Sequence, residues 1–86
     1  MSTINSKISG RQIAAARELL NITQTQLAAA AGLHQQIVGR IESARVLPRE
    51  NTVAKLRQAL EHRGIEFTNG DSPGVKLRAE KALIRA

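Results

Sequence analysis

Gln35 and Gln36 stand side by side, with Ile37 next and Arg40 four residues on. A glutamine carboxamide both donates and accepts, so it can meet N7 and N6 of an adenine in one bidentate contact. An apolar side chain such as Ile37 can touch a thymine methyl, or pack against a neighbouring helix. Arg40 can reach guanine, or a phosphate, and the phosphate is favoured this far from the start of the segment. These side chains do such chemistry only if one short helix holds them together at its N-terminal end. No catalytic alternative competes: no pair of carboxylates converges with a base or nucleophile, and His34 and His62 stand apart with nothing to activate them.

The surrounding residues supply that helix and a second one before it. Thr23 is a good N-cap, and Gln26 three residues later completes a capping box. Leu27, Ala28 and Ala31 share a face, and the alanine run 28–31 has high helix propensity and lets a neighbour approach closely. Gly32 can take the positive φ that ends a helix. After Leu33 a second amphipathic segment turns Val38 and Ile41 inward and leaves Gln35, Gln36, Gly39 and Arg40 outward. Two short helices across a glycine turn form a helix-turn-helix unit.

The residues Gln24, Leu27, Ala28, Gly32, Leu33, Val38, Ile41 and Glu42 fall at the spacing of the Cro and phage-repressor type, or XRE, helix-turn-helix family, and the chain resembles that family over roughly residues 9–63. The resemblance implies a mainly α, lambda-repressor-like DNA-binding domain of four to five helices. It also implies that Gln35 and Gln36 read adenine in A·T-rich half-sites, since similar repressors carry two glutamines there. Gln24 matches a position that hydrogen-bonds phosphate, which the positive end of a helix also favours. With Thr23, it would hold the sugar-phosphate backbone. Arg45 and Arg49 resemble basic residues that clamp the backbone, and His34, in the place of the usual small N-cap, can contact a phosphate or simply lie on the surface. Arg17 is expected to pair with Glu42, tying the first helix to the third; an unpaired Glu42 against the core would be costly. Ala44 stands where the family usually has glycine; held at positive φ it would cost about 1 kcal/mol, so the third helix is expected to run slightly longer.

The rest of the chain frames this unit. Residues 1–9 read as a polar arm, and Ser9 can cap a first helix over 10–20 with an Ile13, Ala16, Leu20 stripe. Pro48 helps start a fourth helix running to about Arg63, with Val53, Leu56 and Leu60 inward and Gly64 as the stop. The expected core is Ile13, Leu20, Leu27, Val38, Ile41, Val53, Leu56 and Leu60. Residues 10–63 thus form the helical domain and 64–86 an extension. There the period changes: Ile65 to Thr68 and Val75 to Arg78 alternate around a turn-rich 69–74, as in a β-hairpin or in strands that pair across a dimer. A similar tail occurs in short repressor-like regulators. Ile65, Phe67, Val75 and Leu77 are read as dimerisation residues, with packing on the chain's own helices as the alternative. An isolated hairpin is marginal in water, so it must pack on something.

Composition agrees with a polyanionic partner. The 86 residues carry a formal charge of +6 and a pI near 11.2, as expected of a protein that binds double-stranded DNA. The chain has no Cys, so neither a disulfide framework nor a thiolate metal site is available. One Phe is the whole aromatic content, too little for a base-stacking platform. No cofactor is implied. No apolar run reaches the ~20 residues of a membrane span, and a cytoplasmic location is expected by default.

One recognition helix covers only about 3–5 base pairs, so a homodimer reading two half-sites one helical turn, ~34 Å, apart is expected. A transcriptional repressor is the leading expectation. The alternatives are an autoregulating antitoxin that holds a toxin through its tail, and a bridging module of the coactivator kind with an unknown protein partner.

Overall fold

The computed structural model describes residues 8–44, 48–69 and 72–78. They form α1 (Gly10–Leu20), α2 (Gln24–Ala31), α3 (Gln35–Glu42), α4 (Glu50–His62), β1 (Ile65–Thr68) and β2 (Gly74–Leu77). The architecture is mainly helical with a C-terminal antiparallel hairpin.

Local chemistry explains where each helix begins and ends. Ser9 and Gln12 make a reciprocal capping box: the Gln12 N–H donates to Ser9 Oγ at 3.1 Å, and the Ser9 N–H donates to Gln12 Oε1 at 2.9 Å. Thr23 and Gln26 repeat the device on α2 at 3.0 and 2.8 Å. Each box satisfies two backbone donors that a helix start leaves without partners. Asn21 closes α1 at φ 58°, where asparagine is tolerated better than most residues. Gly32 closes α2 at φ 72°, and nothing crowds the place where its Cβ would be. Its role is therefore conformational: it lets the chain reverse into α3.

Two helix ends differ from expectation. The helix α3 stops at Glu42 and does not lengthen; Ala44 instead sits at φ 61°, with its N–H donating to the Ile41 carbonyl. The helix α4 starts at Glu50, after Arg49 as N-cap, and ends at His62. Pro48 lies ahead of it, outside the helix, and Glu50 meets the positive end of the helix.

The core gathers the inward stripes of all four helices. Ile13, Leu27, Val38, Leu56 and Leu60 are fully buried, and Ala16, Ala28, Ile41 and Ala59 join them. Leu20 and Val53, both expected inside, are only partly buried against this cluster. Ile8, expected in the polar arm, is buried, as is Ile65 of β1. Small residues set the close contacts: a Cβ on Gly10 would collide with the Ile41 carbonyl oxygen and lie 2.9 Å from its carbon. The first turn of α1 therefore presses directly on the last turn of α3.

The hairpin pairs Ile65 with Leu77, Glu66 with Lys76, Phe67 with Val75 and Thr68 with Gly74. Directly opposed residues share a face, so the four apolar side chains lie together on one side and Glu66 and Lys76 on the other. The apolar side packs on the chain's own core, with Phe67, Val75 and Leu77 keeping part of their surface exposed. A buried polar residue completes the attachment. Gln12 Nε2 donates to the carbonyls of Thr68, at 2.9 Å, and Gly74, at 3.1 Å, and so joins α1 to the mouth of the hairpin.

Candidate nucleic-acid interface

The face built around α3 is positioned from behind. Glu42, in the last turn of α3, has a side chain only 6% exposed. Its Oε2 accepts from Arg17 Nε at 2.8 Å, and its Oε1 accepts from Arg17 Nη2 at 3.1 Å. This fork-on-carboxylate arrangement is the geometry in which arginine binds a carboxylate most strongly. Arg17 Nη1 also donates to the Ile22 carbonyl at 2.9 Å, which fixes the turn between α1 and α2. The hydrogen bond to Glu42, with the charges of Glu42 and Glu18, holds the Arg17 guanidinium above the usual arginine range, although burial works against it. The expected link between the first and third helices is thus made as a two-pronged ion pair.

The opposite side of α3 faces solvent. Gln35, Gln36 and Arg40 are exposed, and Ile37 is half-buried against the core. His34 is an exposed N-cap whose side chain makes no capping bond. The N–H groups at the start of α3 therefore take no capping bond from the His34 side chain. A polar, unblocked helix N-terminus flanked by two carboxamides is suited to an anion or to the edges of bases.

The remaining candidates are placed unequally. Thr23 is exposed, with its hydroxyl accepting the N–H of Gln26. Arg49 is exposed at the start of α4. Arg45 lies outside the described residues. Gln24 does not project freely: its Nε2 donates to Glu42 Oε1 at 3.0 Å. Gly39, read as outward-facing, is half-buried beneath that carboxamide, whose Oε1 would lie 3.3 Å from a Cβ on residue 39. Ile65 lies in the core, so of the four residues read as dimerisation contacts Phe67, Val75 and Leu77 retain surface for one.

Sequence reasoning missed the structural roles of Gln12, Gly10 and Gly39. Gly39 carried a usable signal, because glycine inside an eight-residue helix is unfavourable by about 1 kcal/mol relative to alanine unless something needs the space. Among the described residues no cluster of His, Asp or Glu could hold a metal ion, and no helix is long and apolar enough to cross a membrane.

The family model described as helix-turn-helix matches residues 13–66, more than half of the 86-residue chain and a span that includes all four helices apart from the first turn of α1. No curated protein matches the chain.

Proposed function

This chain belongs to the XRE-type helix-turn-helix family of DNA-binding transcription regulators, and on that premise we propose that it is a repressor that binds a palindromic operator as a homodimer. The observation that carries this reading is the exposure of Gln35, Gln36 and Arg40 on a helix fastened from behind by the Arg17–Glu42 pair. Such a helix presents a fixed pattern of donors and acceptors, which is what selection among base pairs requires.

In this reading the first turn of α3 enters the major groove. Gln35 and Gln36 contact adenines, and Ile37 offers its exposed edge to a thymine methyl. Arg40 meets the phosphate on the groove wall. Thr23 with the N-terminal amides of α2, His34, Arg45 and Arg49 follow the sugar-phosphate backbone, aided by the +6 net charge. Two subunits are needed to extend the site beyond one half, and the partly exposed Phe67, Val75 and Leu77 supply apolar surface for their contact. Residues 64–86 then serve as the dimerising extension, with 10–63 as the reading domain.

Replacing Gln35 and Gln36 by Ala tests the base-reading role. The double variant keeps the helical spectrum and loses discrimination between its site and a scrambled duplex. Unchanged selectivity would overturn the assignment. Sedimentation equilibrium of the full chain over a hundredfold concentration range tests the dimer, and a species that remains monomeric throughout would place it outside this reading.

A further inference from the structure

We infer that Gln24 is a positioning residue for α3, acting through Glu42 and seated on Gly39. The inference rests on the reading of α3 as the helix that meets DNA. Gln24 opens α2 and is half-buried. Its Nε2 gives a hydrogen bond to a carboxylate that already receives two from Arg17, so Glu42 gathers three donors from two other helices. The bond to Glu42 uses one of the two N–H donors of the amide, so any contact made by the other is made from a carboxamide held in place by a nearly buried carboxylate.

The seat is as specific as the bond. The Gln24 carboxamide lies along α3 at Gly39, with Oε1, Cδ and Nε2 at 3.3, 3.9 and 4.0 Å from the place of a Cβ. Residue 39 lies one turn after Gln35 and three residues after Gln36, on the neighbouring surface of the same helix. Beside the core contacts of Leu27, Ala28, Val38 and Ile41, this side chain thus fills the space between α2 and α3 next to the two glutamines and helps set their pose. Hydrogen bonds to base edges weaken steeply with distance and angle, so a small shift of α3 is read as lost selectivity.

Positioning and a backbone contact alone predict different binding curves. Binding of Gln24→Met, Gln24→Ala, Gly39→Ala and the Gly39→Ala/Gln24→Ala pair is measured on the selected duplex and on a duplex with one half-site base pair changed. Gln24→Met keeps the length of the side chain and removes the hydrogen bond. A positioning role predicts that it lowers the preference for the selected duplex by about fivefold or more. Gly39→Ala lowers preference similarly by pushing an intact Gln24, and adds nothing further once residue 24 is alanine. It serves as the independent variant if Gln24→Met melts early.

An equal loss of affinity for both duplexes in Gln24→Met, with preference intact, would make Gln24 a backbone contact alone and overturn the inference. Additive effects of the Gly39 and Gln24 substitutions would overturn the seat. A wild-type chain with no base preference would instead defeat the proposed function, and this role with it.

Discussion

Replacing Gly10 by Ala separates helix propensity from packing, because the two predict opposite signs. Alanine is favoured over glycine in a helix by up to about 1 kcal/mol, and less at a first position. Propensity alone therefore predicts a more stable protein. Packing predicts the reverse. The new Cβ would meet the Ile41 carbonyl oxygen, lie 2.9 Å from its carbon and 3.4 Å from Glu42 Cα. Ordinary carbon–carbon contact is ~3.5–4.0 Å, so α1 and α3 must part by at least ~0.6 Å. The obstacle is backbone in a closed helix end, and no side-chain rotation relieves it.

Overpacking of this kind costs about 1–3 kcal/mol, and a backbone obstacle belongs at the upper end. The net effect is a destabilisation of about 2 kcal/mol. For a domain of this size that lowers the melting temperature by about 8–16 °C. Urea and thermal denaturation followed by circular dichroism measure it, with the exposed Ala15→Gly change on the same helix reporting propensity alone. A Gly10→Ala protein as stable as the wild type would refute the close approach of α1 to α3.

Four further outcomes follow from the same contacts. Glu42→Ala leaves the Arg17 guanidinium, 16% exposed, with only the more distant Glu18 carboxylate at 3.6 Å and the Ile22 carbonyl; a loss of about 3 kcal/mol, the low end for a broken buried pair, is expected in urea titrations. The Arg17 pKa is raised in the fold, so its stabilisation is fully present below the ordinary arginine range and is lost only as pH rises through the still higher folded value. The Arg17 contribution, measured by Arg17→Met at pH 6 and pH 9, is therefore the same at both. Ala44→Gly relieves a left-handed residue at φ 61°, and the melting temperature rises by a few degrees, a gain of about 0.5–1 kcal/mol after the entropy of the freer unfolded chain is subtracted. Gln12→Leu removes the donor shared by the Thr68 and Gly74 carbonyls; a stability loss of about 1–3 kcal/mol accompanies faster hydrogen exchange across the hairpin.

Much of this fold was legible in the sequence because local chemistry decides it. The Thr23–Gln26 cap, the Gly32 turn and the Val38–Ile41 spacing define α2 and α3 without reference to the remainder, and Ser9 and the Ile13–Leu20 stripe do the same for α1. The alternation at Ile65–Thr68 and Val75–Leu77 gave the hairpin. What stayed hidden depends on contacts between elements. Gln12 looks like a solvated helix residue until the hairpin brings two carbonyls to it. Gly10 and Gly39 look like poor helix formers until α3 and the Gln24 carboxamide occupy the space a Cβ would take.

The candidate interface was legible in part for the same reason. Exposure of Gln35, Gln36 and Arg40 follows from helical periodicity, and the Arg17–Glu42 pair was expected from family resemblance and the cost of a lone charge. The engagement of Gln24 was not legible, because sequence reports a side chain's capability and not which of two partners lies closer. The apolar face of the hairpin was ambiguous for a related reason: the same alternation serves a subunit contact or the chain's own core, and here it packs on the core.

The central claim is that exposed side chains of α3 select a base sequence. Selection from a random duplex library at two salt concentrations tests it most directly. A palindromic motif with half-site centres about 10 base pairs apart, lost on replacing Gln35 and Gln36 by Ala, is the predicted result. Binding that weakens with salt but enriches no motif would reduce the interaction to charge alone and contradict the account.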